Sequence, residues 1–325
     1  MLFSIFYVAH LHADFRLEDS IAKFLSVIQQ NDAVAATGTL DALLSHKSLL
    51  SAIKENAMAA PTAPKLQLEQ VSMDFKNSDG SRFTALAPID ATVDAGRFVS
   101  LVGPSGCGKS TIFNIVAGLQ IPTSGRVMIG GADATGTIGQ VGYMLQKDLL
   151  LPWRTLSDNV ALGMEIRGAS LREARERALP YLARYGLGGF EKQYPSALSG
   201  GMRQRAALLR TLLVDEDIIL LDEPFGALDA QTKSQMHEWL LQLFSDFGKT
   251  FIFITHDVEE AVYLSDEIYV MASRPGRLIE KLPVDLPRPR SRDVVSSARF
   301  VAIKKYCLDL LRLTEDHQSS TPIAA

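Results

Sequence analysis

The sequence has few of the features that would place a chain outside the cell or across a membrane. Cysteine occurs only twice in 325 residues, at Cys107 and Cys307, too few for a disulfide framework, and a reducing, cytosolic compartment is the simpler reading. No stretch reaches the ~18 uncharged apolar residues that cross a bilayer, so a membrane role is expected only through a partner. The apolar start Met1–Ala9 is short, lacks a positively charged lead and runs into His10, His12 and Asp14, a poor fit to a signal peptide. There is no basic surplus either. Lys and Arg number 33 against 37 Asp and Glu, a net charge of −4 with a pI near 5.9, which argues against nucleic acid as a bulk electrostatic partner. His10, His12 and His46 read as surface or core histidines, since no convincing cluster of Cys, His and carboxylate at metal-ligand spacing surrounds them.

What is present is 47% hydrophobic residues in a chain long enough for one large domain or two modest ones. Within it stands Gly103-Pro104-Ser105-Gly106-Cys107-Gly108-Lys109-Ser110-Thr111, between the apolar run Phe98–Val102 and the helix-like Thr111–Ala117. This fits G-x-x-x-x-G-K-[ST] between a strand and a helix, the phosphate-binding P-loop in the context it requires. Glycines let the backbone take positive φ and close around an anion. Successive N–H groups and the helix start then face the phosphates, Lys109 brings a mobile charge to the β- and γ-phosphates, and Ser110 offers a hydroxyl to Mg²⁺.

Further chemistry follows in order. Before the P-loop, short strand signals at Leu66–Phe75, Phe83–Ala87 and Ile89–Val93 suggest an antiparallel β-subdomain. Phe75 is placed either to stack on a base or to fill the core. After the P-loop come strand signals at Arg126–Ile129 and Ile138–Leu145, the latter ending at Gln146. The segment Leu156–Gly188, rich in helix formers and punctuated by Pro152 and Pro180, reads as a helical insert. Next, Leu198-Ser199-Gly200-Gly201-Met202-Arg203-Gln204 leads into the Ala/Leu-rich 206–214; Ser199 is either an ordinary N-cap or a second phosphate-binding helix start. The buried-strand run Ile218–Leu221 ends in Asp222-Glu223, and two adjacent carboxylates there need a metal, a partner or water. In P-loop proteins the Asp orders Mg²⁺ and the Glu polarises the attacking water, so those roles fall to Asp222 and Glu223. A long amphipathic helix, Ala230–Phe247, and a strand, Thr250–Thr255, bring His256 to the strand-end edge where open α/β sheets bind ligands.

Taken together, Gly103–Thr111, Gln146, Leu198–Gln204, Leu220–Glu223, Ala227–Asp229 and His256 resemble the nucleotide-binding subunits of ATP-binding cassette (ABC) transporters across about residues 65–285. The resemblance implies an α/β fold: a P-loop NTPase core with a mostly parallel sheet, an antiparallel β-subdomain and a helical subdomain at about 147–210. It implies ATP and Mg²⁺ as cofactors and two cassettes paired head to tail, ATP on Lys109 of one being covered by Ser199, Gly200 and Gly201 of the other, with Gln204 close by. Phe75 would then stack on adenine. Gln146 and His256 would sense phosphate and Mg²⁺, with Ser110, Gln146 and Asp222 around the metal. Asp229 would link the two sites. The implied partners are integral-membrane permease subunits, docking near Gln146–Thr155 and the helical insert, and an external solute-binding protein, with the cassette on the cytoplasmic face of the membrane and no nucleic acid. Tyr143–Thr155 and Arg274–Arg290 resemble the nitrate, sulfonate and taurine importers. A soluble ABC ATPase acting on nucleic acid or ribosomes is the competing class; such proteins usually carry a coiled-coil insert or two cassettes, whereas one copy of each motif occurs here.

The ends carry no readable chemistry. Residues 1–64 form an N-terminal extension, with helix-like patterns at Leu17–Gln30 and Thr39–Glu55, or else translation starts at Met58. The cassette is expected over 65–290, and 291–325 holds an amphipathic helix, Phe300–Leu313, and a polar tail.

Overall fold

The computed structural model describes residues 64–226 and 228–319, with the backbone alone over 314–319. The two N-terminal helix patterns, Met58, the histidines at 10, 12 and 46, and Ala227 lie outside the described residues.

Two sheets organise the described residues. In the first, β1 (Leu66–Lys76), β2 (Arg82–Val93), β4 (Ser124–Ile129) and β5 (Ala132–Asp133) pair antiparallel in the order β2-β1-β4-β5. Asp79 closes the hairpin turn by accepting from the Ser81 amide at 2.8 Å and its hydroxyl at 2.6 Å. Where the sequence suggests two short strands, the structure has β2 running through Pro88. The reason is position. β2 is an edge strand, and a register shift between the Val71–Ile89 and Met73–Leu86 pairs absorbs the residue that cannot donate to the ladder.

The second sheet holds β3 (Phe98–Val102), β6 (Gly142–Met144), β7 (Ile218–Asp222), β8 (Thr250–Thr255) and β9 (Glu267–Ala272) in parallel, with β10 (Arg277–Pro283) antiparallel on its edge. The order is β10-β9-β3-β8-β7-β6. β6 is shorter than the expected Ile138–Leu145. Gly139 takes φ +82° and Ile138 is 68% exposed, so pairing with β7 begins only at Gly142.

Alternation along these strands divides the core in two. Phe98, Val102, Ile219, Leu221, Phe251, Phe253, Ile268 and Val270 point to one face, and Val99, Leu101, Ile218, Leu220, Ile252, Ile254, Tyr269 and Met271 to the other. Runs apolar at every position are what a parallel sheet covered on both faces demands. The second face packs on α1 (Lys109–Val116) and the antiparallel sheet through Leu66, Leu68, Val71, Leu86 and Ile89.

The first face is covered by helices. These are α2 (Leu156–Ile166), α3 (Leu171–Arg184), α4 (Gly200–Leu212), α5 (Ala230–Phe247), α6 (Val258–Leu264) and α7 (Ala298–Ser319). α2 and α3 separate at Gly168, φ +98°, and Ser170 caps α3 by accepting from the Glu173 amide at 3.2 Å. Pro180 sits inside α3 rather than punctuating it. Both Pro180 and Glu176 are exposed, so the carbonyl that loses its helical donor faces water. α4 begins at Gly200, ahead of the Ala/Leu-rich run, and α7 extends beyond Phe300–Leu313 at both ends.

Candidate active site

The P-loop leaves the C-terminal end of β3 and feeds α1, as its flanking residues require. Gly108, the N-cap of α1, has φ +94°, and Gly106 has φ +78°, conformations that L side chains rarely adopt. Lys109 is 6% exposed; its Nζ donates to the carbonyls of Gly103 at 2.8 Å and Pro104 at 3.1 Å. The ammonium is thus already held over the loop. Cys107 is fully buried beneath it, 3.7 Å from Nζ, and burial pushes its thiol up.

An open cleft of about 820 Å³ covers this loop. It is lined by Ser105, Gly106, Gly108, Lys109, Ser110, Thr111 and Glu223, by Phe75, Phe83, Thr84 and Ala85 from the hairpin, and by Arg274 and Pro275. The structure therefore brings Phe75, the loop and Glu223 together. Phe83 and Arg274 escaped the sequence reading. Phe83 is the direct cross-strand partner of Phe75, their rings stacked with centroids 5.6 Å apart, so counting across the hairpin turn would have found it. Arg274 arrives from the β9–β10 turn, and no local signal marks it.

Asp222 ends β7 and Glu223 follows it directly. Asp222 is 7% exposed, and burial raises its pKa, partly opposed by the Ser110 hydroxyl, while the Glu223 charge adds to the rise. Its carboxylate also accepts from the Tyr143 hydroxyl at 3.5 Å. Glu223 holds φ +44°, a strained conformation for a non-glycine residue, and its amide donates to Ile254 at 3.1 Å. Its Oε2 lies 3.3 Å from His256 Nδ1. The Ser110 hydroxyl and Asp222 carboxylate supply the hard oxygen donors that suit Mg²⁺. Among the described residues no three His, Cys, Asp or Glu side chains converge, so substrate phosphate oxygens would complete such a shell.

Other expected residues lie elsewhere. Gln146 is exposed just past β6. Ser199 caps α4, its hydroxyl accepting from the Met202 amide at 3.3 Å, and Gly200 and Gly201 form the first turn. Gln204 is 7% exposed within that helix, and its Oε1 accepts no hydrogen bond among the described residues. Asp229 caps α5, accepting from the Thr232 amide at 3.0 Å and hydroxyl at 2.6 Å, which lowers its pKa. None of these residues lines the cleft.

A phosphate-cradling loop, a strand ending in two carboxylates and a capped Ser-Gly-Gly helix start are combined in one cassette. The ABC transporter family model matches residues 86–226. An uncharacterised ABC transporter ATP-binding protein of Methanocaldococcus jannaschii is 43% identical over 248 residues, covering 76% of this chain and 91% of that protein. The chain belongs to the ABC transporter ATP-binding family. It is an ATP-hydrolysing subunit with the P-loop ABC ATPase fold. The taurine import ATP-binding protein of Escherichia coli is 41% identical over 229 residues, 69% of this chain and 90% of that one. A dimeric ATP-binding cassette solved with ADP and phosphate superposes with a TM-score of 0.60 at 32% identity, over 68% of this chain and all of that one.

Within this cassette charge ties α3 to α2, and α4 to the loop between β6 and α2. Arg175 on α3 grips Asp158 on α2, with Nη2 at 2.9 Å, and Arg203 on α4 reaches Asp148 at 3.2 Å. Next to them Leu145, Leu149 and Trp153 are 42%, 50% and 72% exposed, an apolar surface beside Gln146.

Proposed function

We propose that two copies of this ATPase pair head to tail, each completing the other's site, and energise a permease that imports taurine or a related small solute. The observation that carries the pairing is spatial. The Ser199–Gly201 helix start offers amides and a hydroxyl suited to phosphate, yet it does not line the cleft of its own chain. A second copy, inverted, supplies it. The related cassette solved with ADP and phosphate is itself a dimer, which supports the same arrangement.

In that arrangement Lys109 and the P-loop amides neutralise the β- and γ-phosphates, and Phe75 stacks on the adenine. Mg²⁺, when bound, would sit on Ser110 and Asp222, with Gln146 reaching in, and withdraw charge from the phosphoryl group. Glu223 orients and deprotonates the attacking water, and His256, in contact with Glu223, holds the γ-phosphate side of the site. Asp229, capping α5, carries the signal between the paired sites. The exposed Leu145, Leu149 and Trp153 beside Gln146 form the surface on which the permease docks. Among the described residues no helix is long and apolar enough to cross a membrane. As an ABC ATP-binding subunit it would sit on the cytoplasmic face against its permease, and an external binding protein would deliver the solute. The taurine import relative favours sulfonates over nitrate as cargo.

Reconstituting the full chain with its permease and binding protein in vesicles, with ATP on the cassette side, tests this reading. Labelled taurine should accumulate, and Lys109→Ala should stop it. ATP-driven uptake of nitrate but of no sulfonate would refute the solute assignment.

A further inference from the structure

One buried carboxylate is not used by the roles above. Glu260 on α6 is 5% exposed. Its Oε1 is 2.6 Å from Lys233 Nζ and 3.0 Å from His237 Nε2, both one turn apart on α5. Its Oε2 accepts from the Thr255 hydroxyl at the end of β8. The same hydroxyl accepts from the Asp257 amide at 3.0 Å, so it clamps the backbone on both sides of His256. Asp257 in turn caps α6, accepting from the Glu259 amide at 2.9 Å, and its Oδ2 lies 3.4 Å from Lys233.

Three segments of the site meet on this one group. The Thr255–Asp257 clamp presents His256 to Glu223. Lys233 is four residues beyond Asp229, and its amide donates to the Asp229 carbonyl at 2.8 Å. The His237 ring packs 5.6 Å from Phe225, which belongs to the turn following Glu223, and 6.2 Å from Tyr263 on α6. Burial pushes the Glu260 carboxyl up, but His237, Lys233 and Thr255 together outweigh it and hold it low. A carboxylate so enclosed keeps its charge only while all three donors stay in place.

Resting on the roles assigned to His256 and Asp229, we infer that Glu260 is a positioning residue for ATP hydrolysis. It locks the β8–α6 turn that aims His256 to the α5 start that carries Asp229. A shift of one element is then felt by the others, because the carboxylate cannot release a donor without leaving charge unpaired in the interior. A purely structural ion pair would predict something different: loss of folding stability, with no dependence on His256.

The test is a double-mutant cycle on the full chain. Glu260→Gln and Thr255→Val are each made in the wild-type and His256→Ala backgrounds, and phosphate release, KM, ATP affinity and melting temperature are measured. Thr255→Val removes the hydroxyl with both its bonds, to Glu260 and from the Asp257 amide, but leaves the buried charges in place, and so serves even where Glu260→Gln folds poorly. In the wild-type background kcat should fall about tenfold or more while KM and ATP affinity stay within about twofold. In the His256→Ala background the same changes should cost no more than about twofold further. Equal losses in both backgrounds, or an unchanged kcat in a folded Thr255→Val chain, would overturn the inference and leave the role of His256 intact. Wild-type kcat in His256→Ala alone would overturn both.

Discussion

Gly276, on the turn between β9 and β10, should be as intolerant of a methyl group as the P-loop glycines themselves. It is buried, its amide donates to Ala85 at 2.9 Å, and its carbonyl accepts from Ala87 at 2.9 Å, so β2 pins it from both sides. A Cβ there would stand 2.2 Å from the Cys107 carbonyl oxygen and 2.9 Å from both the Ala85 oxygen and Leu86 Cδ2. Ordinary contact needs about 3.5 Å, so in Gly276→Ala something must move by roughly 1 Å. Backbone lies on both sides, and the free P-loop is the wall able to yield. Overpacking of this kind costs about 1–3 kcal/mol, which for a cassette of this size lowers the melting temperature by about 2–6 °C. If half of it is borne by the nucleotide-binding geometry, ATP affinity falls about twofold to tenfold. Calorimetric titration with ATP and a thermal melt read both quantities. A melting temperature within about 1 °C of wild type together with unchanged affinity would refute the claim that this turn braces the P-loop.

The remaining predictions concern parts that hold the site from outside. Arg290 has a fully buried side chain and burial lowers its pKa to about 10. Its Nη1 donates to the carbonyls of Tyr263 at 2.9 Å and Ser265 at 2.7 Å, closing the C-terminal end of α6. Arg290→Met leaves those carbonyls orphaned and should cost about 3 kcal/mol in urea unfolding; an unchanged midpoint would contradict this. The Arg175 guanidinium beside Asp158 holds its carboxyl below the usual range, with burial opposing. A depressed native pKa gives stability that is present above the unfolded value near ~4 and is lost as pH falls through the native one. The melting-temperature gap between wild type and Asp158→Asn should therefore narrow below about pH 4, and a gap constant with pH would refute the assignment. Phe83→Ala removes half of the stacked pair in the cleft and should weaken ATP binding by roughly threefold to tenfold with kcat little changed. An unchanged affinity would leave Phe75 as the whole platform.

Much of the site was legible because its chemistry is local. The glycine spacing of the P-loop requires a tight turn after a strand whatever the rest of the chain does, and Ile218–Leu221 with its terminal carboxylates reads as a buried strand ending at a ligand edge. The bounds of α5 and β8 fall where the sequence puts them, at Ala230–Phe247 and Thr250–Thr255. What escaped depends on distant contacts. Pro88 and Pro180 read as breaks because only the sheet order and helix exposure show that the missing donor is harmless there. Phe83 and Arg274 enter the cleft through pairing and a turn that periodicity does not reveal. Glu260 looks like one more carboxylate on a helix until α5 is seen to deliver Lys233 and His237 to it.

The central claim is that the nucleotide site is completed by a second copy of the chain. Light scattering on Glu223→Gln with ATP, alone and combined with Ser199→Arg, tests it most directly. Glu223→Gln should form a stable ATP-dependent dimer, while the double variant should bind ATP and remain a monomer. An ATP-loaded Glu223→Gln chain that stays monomeric, or a dimer that survives Ser199→Arg unchanged, would contradict the account.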